Sequence, residues 1–326
     1  MIFSTKTILE SQNKTIQETN ITLQNDKSLF FESLDLILQE SISFNTILSV
    51  GKKILSTVNF SDMIKRILKW FANSLESLWK SFISILIGFE RPSILINRYK
   101  NKLENIDISI PYNKSYVEYS NLGINTSYTS YKVNIENILN SMYRDLDSVR
   151  KCRSYNDLYN ELNSIKNDRT NNNYVNEIRS EVLGTYDTVS KSEFASKLYS
   201  FFRKSTIEVT DISPEIVRLT LQNYLQYKSN LNMVEKDKKD LKNASSKIES
   251  ELSSLNINEY INDSININND IEREFNSIIN SAISQTKDIC EIYLQVFSAK
   301  LDAFKESRMQ DTRILVIACQ EIEKRG

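Results

Sequence analysis

The 326-residue sequence contains no histidine, and it has only five glycines, three prolines and three cysteines. Histidine is the side chain most often used as a general base, proton shuttle or metal ligand, because its pKa lies near neutrality. Its absence excludes histidine-dependent catalytic triads and most zinc sites. The few glycines are scattered, and they form no phosphate-binding loop. We therefore expect no catalytic residues, no bound metal and no cofactor, and we expect that the protein is not an enzyme.

The three cysteines, Cys152, Cys290 and Cys319, are odd in number and widely separated. Without histidine they make a poor zinc-binding set. Free cysteine usually behaves as a small buried apolar residue in a reducing compartment, and that is the role we expect here.

Few turn residues mean few turns, so long helices are predicted. The predicted fold class is mainly α: an elongated helical bundle with a long C-terminal helical hairpin and a small β hairpin insertion. A net charge of -1 argues against a surface specific for nucleic acid, because such surfaces carry clustered lysine and arginine.

The strongest pattern is an amphipathic helix predicted over residues 61–89. Apolar residues recur there at steps of three and four, which places them on one stripe. The stripe and its flanks form a candidate membrane or partner face, made of Ile64, Ile67, Lys69, Trp70, Phe71, Leu75, Leu78, Trp79 and Phe82. Two interpretations stay open: the face is the core of a helical domain, or its tryptophans and lysines meet a membrane interface.

Three regions are predicted along the chain. Residues 1–27 form a polar N-terminal arm. Residues 28–168 form a helical region that contains the amphipathic helix and a small β element at 106–133, where residues alternate from Ile106 to Tyr112 and a turn is expected at 121–123. Residues 174–326 form a long-helix C-terminal region.

Two helix starts stand out in the C-terminal region. Ser190 and Glu193 have capping-box spacing, and Ser213 precedes a proline suited to a first helical turn. A long helix is predicted from Pro214 to Leu255, and a second from Asp270 to the end. The first carries an approximate heptad seam on which Lys238 and Ser245 also fall. The seam residues proposed for helix–helix contact are Leu221, Leu231, Leu241, Ile248 and Leu252.

This layout resembles virion structural proteins of tailed bacteriophages. The resemblance is carried by the polar arm, the segment KRILKWFANSLESLWKSF at 65–82, the tyrosine-rich β element, the segment FASKLYSFFRKSTIEVT at 194–210 and the long helical C-terminal half. It implies a protein of the internal head or portal-proximal type, made in the host cytoplasm and packaged in the virion. Its expected partners are portal, capsid or neck proteins and other copies of itself. The alternative function is a membrane-active or pore-forming helical protein that acts through residues 61–89.

In some such phages, head proteins are trimmed after an Ile/Leu-x-Glu sequence. Ile8-Leu9-Glu10 and Leu38-Gln39-Glu40 match this pattern. The resemblance therefore implies maturation cleavage after Glu10 or Glu40.

Overall fold

The computed structural model describes residues 58–87, 90–122, 128–152, 154–170, 174–252 and 269–325. The arm predicted at 1–27 lies outside the described residues. So do both residues of the predicted cleavage sites, Glu10 and Glu40. The elements in chain order are α1 (Val58–Ile87), α2 (Glu90–Glu104), β1 (Ile110–Tyr119), α3 (Tyr128–Lys151), α4 (Tyr155–Thr170), α5 (Tyr174–Leu183), α6 (Lys191–Phe202), β2 (Arg203–Ile212), α7 (Pro214–Leu252) and α8 (Asn269–Arg325).

The C-terminal helix α8 is the element around which the others pack. It contacts α1 through α7 and strand β1, and its 57 residues make it about 85 Å long at 1.5 Å per residue. Helix α7 runs antiparallel to it, since Tyr224 lies beside Arg308 and Asp237 lies beside Lys300. The predicted fold class is confirmed: the protein is mainly helical, with a long C-terminal helical hairpin and a small two-stranded antiparallel β element.

Two apolar clusters lie along α8. The large core joins α1, α3, α4, α5 and α6 with α7 from Val234 onward and with α8 as far as Phe304. The small core joins α2 and both strands with α7 up to Tyr224 and with α8 from Ile314 onward. Between them, α8 buries a run of polar side chains that we call the polar belt: Lys305, Arg308, Gln310, Asp311 and Thr312.

The two strands are far apart in the sequence. β1 pairs antiparallel with β2, with Ile110 opposite Ile212 and Tyr116 opposite Ile207. The expectation that the second strand would follow β1 within 106–133 is therefore wrong. Residues from Tyr128 onward form α3 instead, because Tyr131 shares a helical face with the residues after it and is fully buried in the large core.

The chain after β1 is fixed to the end of α6. The Ser120 backbone N–H donates to the Phe202 carbonyl at 3.0 Å, and the Asn121 side-chain amide donates to the Phe201 carbonyl at 2.7 Å. Asn121 has a φ of 61°, in the left-handed region that asparagine tolerates better than most residues. This residue therefore ends β1 without leading it into a local hairpin.

Both predicted helix starts are present. The Glu193 carboxylate accepts hydrogen bonds from the Ser190 backbone N–H and hydroxyl. Helix α6 begins at Lys191, directly after Ser190. Helix α7 begins at Pro214, and the Ile216 N–H donates to the Ser213 hydroxyl at 3.4 Å. Local capping chemistry was thus sufficient to place these two boundaries.

Candidate functional site

The face predicted on the amphipathic helix is directed into the large core in this structure. Helix α1 packs against α7 and α8. Six residues of the face are buried, namely Ile64, Ile67, Phe71, Leu75, Trp79 and Phe82, while Trp70 and Leu78 are half-buried and Lys69 is exposed. Contacts within the chain therefore cover most of this face.

The seam predicted on α7 also faces inward. Leu221 lies in the small core, Leu241, Ile248 and Leu252 lie in the large core, and half-buried Leu231 packs against the large core. The two polar seam residues find partners there: Lys238 lies 3.2 Å from a Glu76 carboxylate oxygen, and the Ser245 hydroxyl lies 2.9 Å from that of Tyr131. The seam is thus occupied by α1, α3 and α8.

The cysteines show no sign of a reactive site. All three are free, with Cys290 and Cys319 buried and Cys152 half-buried. Burial raises the pKa of both the Cys290 and the Cys319 thiols to about 12. The prediction that cysteines serve as small buried residues is confirmed for these two positions.

Among the residues described above, no three Cys, Asp or Glu side chains come together as a set of metal ligands. None of the described helices combines the length and the apolar character needed to cross a bilayer.

A buried ion pair joins the two long helices within the large core. The Lys300 ammonium of α8 contacts the Asp237 carboxylate of α7, and their side chains are only 1% and 4% exposed. Burial raises the pKa of the Asp237 carboxyl, and the adjacent Lys300 charge opposes that rise. A pair this deeply buried ties one position of α7 to one position of α8, because either charge alone would be costly to bury.

A cleft of about 370 Å³ opens at the polar belt, between β1, α7 and α8. Its lining includes aromatic rings from three elements, together with amide, hydroxyl and charged groups. Lys204 and Glu118 lie at the exposed rim and pair at 3.7 Å, while Arg308 and Asp311 lie at the buried floor. This cleft is a candidate binding site within the described residues.

One wall of the cleft is fixed by Gln310. Its side-chain amide donates to the Val117 carbonyl at 2.9 Å and accepts from the Val117 N–H at 2.8 Å. In this way a side chain of α8 satisfies one backbone position of β1 as a neighbouring strand would. The wall is therefore held to α8 at this residue.

Below that wall, Arg203 of β2 closes one end of the sheet onto α8. Its guanidinium pairs with the Glu306 carboxylate and stacks 3.7 Å from the centre of the Tyr199 ring. The Tyr119 hydroxyl donates to the same carboxylate at 3.4 Å. Burial and the adjacent Glu306 charge raise the pKa of Tyr119, so this hydroxyl stays protonated at neutral pH.

Arg308 is held by aromatic rings. Its guanidinium carbon lies 3.5 Å from the centre of the Tyr224 ring and 4.0 Å from that of Tyr227. One guanidinium nitrogen donates to the Tyr224 carbonyl at 3.1 Å. The Arg308 charge is therefore stabilised by cation–π contacts and a carbonyl, with no carboxylate in an ion pair with it among the described residues.

Asp311 lies one turn after Arg308 on the same helix and is 9% exposed. It lines the cleft, and among the described residues its carboxylate has neither a hydrogen bond nor an ion pair. Burial raises the pKa of Asp311 to about 7, and the Arg308 charge only partly opposes the rise. At neutral pH the floor of the cleft thus carries a carboxyl group that is close to half-ionised.

Asp311, Arg308 and the Asp237–Lys300 pair are not among the residues predicted from the sequence. A signal exists for Arg308 and Asp311, because helical spacing carried from Phe304 to Ile314 places charged residues where apolar ones would be expected. A long helix buried on several sides cannot be solvated at every charged position, so some of those charges must be paired or must line a cavity.

Comparisons of this chain with protein-family models, with curated proteins and with solved structures gave no match.

Proposed function

We propose that the protein is a structural protein that acts through protein–protein contacts, as a component of a tailed-phage virion. The observation that carries the structural role is the packing of α1, α3 and α7 around α8, which makes one long helical framework. The place in a virion rests on the sequence layout, with its amphipathic helix, tyrosine-rich β element and long helical C-terminal half.

The packing of α1 favours this proposal over the membrane-active alternative. Trp79 is 9% exposed and packs 5.7 Å from Phe82, and the Phe82 ring meets the Phe304 ring at 5.8 Å. Aromatic side chains buried in this way contribute to the core of the protein. Contact of this face with lipid would require α1 to leave α7 and α8.

The virion proposal is tested on particles purified from the organism that encodes the chain. We expect an antibody against α8 residues to detect the chain in gradient-banded, DNA-filled particles, at a fixed ratio to the portal protein. The absence of the chain from such particles, when it is present in the producing cells, would overturn the proposal.

Liposome flotation compares the two functions directly. We expect the purified full chain not to float with neutral or anionic vesicles, and the Trp70→Ala/Trp79→Ala variant to melt at a lower temperature because it loses core packing. Flotation that requires anionic lipid and disappears in a variant with an unchanged melting temperature would instead favour the membrane-active function. Asn73→Ala serves as the control, since Asn73 is an exposed residue of α1 that lies outside the candidate face.

A further inference from the structure

At the floor of the cleft between β1, α7 and α8, the Asp311 carboxylate lacks a hydrogen-bond donor within the described part of the chain. Asp311 is about nine-tenths buried, lines the cleft and has no hydrogen-bond partner among the described residues. A largely buried carboxylate without a donor is unfavourable, because it has lost most of its contact with water without gaining a replacement. A molecule that brings a donor to this position would remove that cost.

The cations nearest to the floor are engaged elsewhere. Lys204 pairs with Glu118 at the rim. Arg308 is sandwiched between two tyrosine rings and donates to a backbone carbonyl. The Arg308 Nε–H and the Tyr227 hydroxyl have no hydrogen-bond partner among the described residues, but neither donates to Asp311, so a molecule in the cleft can supply the donor that Asp311 lacks.

The walls of the cleft favour a cationic donor. The rings of Tyr116, Tyr119, Tyr227 and Phe304 all line it, and the faces of aromatic rings attract positive charge. An anion at the floor would lie beside the Asp311 carboxylate. Arg308 also lies at the floor, and its charge would repel a multiply charged cation more strongly than a cation with a single charge. A single compact ammonium group at the end of an alkyl chain therefore fits best.

We propose that this cleft binds a protonated primary amine, with the Asp311 carboxylate as its counter-charge and the tyrosine rings around its alkyl chain. Two sources share this chemistry: a free alkylamine, and the lysine side chain of a partner protein. A volume of about 370 Å³ is within the range of small-ligand pockets and accommodates a butylammonium group.

Calorimetric titration of the full chain tests the proposal with four probes: n-butylamine, Nα-acetyl-lysine methylamide, and their uncharged counterparts n-butanol and Nα-acetyl-norleucine methylamide. We expect saturable binding of at least one amine and of neither uncharged probe. Binding of butylamine alone identifies a free amine as the source, and binding of the blocked lysine identifies a side chain. Failure of both amines to saturate would overturn the proposal.

Variants establish the place of binding. Asp311→Asn should lower the affinity for the amine by about tenfold or more, whereas Asp302→Asn, the same change on α8 at a residue that does not line the cleft, should leave it unchanged. Asn223→Lys places an ammonium group on the cleft wall at an exposed position of α7, and it should compete with the added amine. Equal affinity in the wild type and in both cleft variants would also overturn the proposal.

The pH dependence gives a third readout. The titratable and charged groups around Asp311 are Arg308 on α8, Tyr112, Tyr116 and Glu118 on β1, Lys204 on β2 and Tyr227 on α7. Of these neighbours, the tyrosines stay neutral, and Arg308 stays charged, between about pH 5.5 and 8. Affinity for the amine should rise across that interval as Asp311 ionises, and the rise should be absent in Asp311→Asn.

Discussion

The large core and the polar belt lie next to each other on α8, but they differ in how their buried side chains are paired. In the large core, apolar side chains meet apolar side chains, and the deeply buried charges of Asp237 and Lys300 form an ion pair with each other. In the polar belt, Gln310 is satisfied by β1, whereas Asp311 has no hydrogen bond within the described residues. Helix α8 thus combines a stretch in which the buried Lys300 charge is paired with a stretch in which Asp311, the Arg308 Nε and the Thr312 hydroxyl have no hydrogen-bond partner among the described residues.

This difference indicates where function is most easily separated from stability. Removing a group from the large core should destabilise the protein, because every partner there loses a contact. Removing an unsatisfied charge from the belt should not, because no partner depends on it. Variants of the large core and a variant of Asp311 should therefore differ in the sign of their effect on the free energy of unfolding.

The largest loss is expected from Lys300→Met. The change leaves the Asp237 carboxylate buried without its partner, and breaking a buried pair in this way costs about 3–5 kcal/mol. Chemical denaturation followed by circular dichroism measures the loss. The double variant Asp237→Leu/Lys300→Met should recover most of it, because two apolar side chains can replace a buried ion pair. A single variant as stable as the wild type would show that the pair does not form.

Leu75→Ala probes the apolar part of the large core without a charge. Leu75 is fully buried on α1, and truncating a buried leucine costs about 2–5 kcal/mol through lost contacts and the cavity left behind. The matched control is Ile94→Ala on α2, where the side chain is 65% exposed and the change should be within about 0.5 kcal/mol. Equal effects at the two positions would contradict the packing of α1 against α7 and α8.

Gln310→Ala removes the side chain that binds β1. The Val117 N–H and carbonyl lose their partner, and the expected loss is about 1–3 kcal/mol, lower if water enters from the cleft. Hydrogen exchange should become faster at the Val117 amide and stay unchanged in the large core. Gln295→Ala, at a half-buried position on the same helix, is the control. If the Val117 amide exchanges no faster in Gln310→Ala than in this control, Gln310 does not hold β1.

The large core was more accessible to sequence reasoning than the polar belt. The periodicity of α1 and α7 follows from the residues themselves, and the structure has both helices. The pairing of β1 with β2 was not predicted, because strand partners distant in sequence leave no local signal, whereas a turn such as 121–123 suggests a nearby partner.

The candidate site was hidden for a related reason. Asp311 and Arg308 are ordinary charged residues within a helical pattern, and most such residues are solvated. Their burial depends on β1 and α7 reaching the same section of α8, which is a property of the tertiary structure. Periodicity within one helix does not report how many of its sides are covered.

The smallest change, and the one with opposite sign, is expected for Asp311→Asn. Burial raises the pKa of Asp311 from 3.8 to about 7, so between these values the folded state binds the proton more tightly than the unfolded state. The contribution of this group to the free energy of unfolding therefore falls as the pH rises from about 4 to about 7. Asparagine cannot ionise, so the variant avoids the cost of a buried charge, but its amide is also buried. The free energy of unfolding of Asp311→Asn should therefore exceed that of the wild type by about 1–2 kcal/mol at pH 8.

Urea denaturation of the wild type and Asp311→Asn across about pH 4 to 8 checks this expectation. The two curves should approach each other toward the acidic end and separate toward the alkaline end, with Asp107→Asn, the same change at an exposed residue between α2 and β1, following the wild type. A variant less stable than the wild type at pH 8 would mean that the Asp311 carboxylate has a stabilising partner in solution.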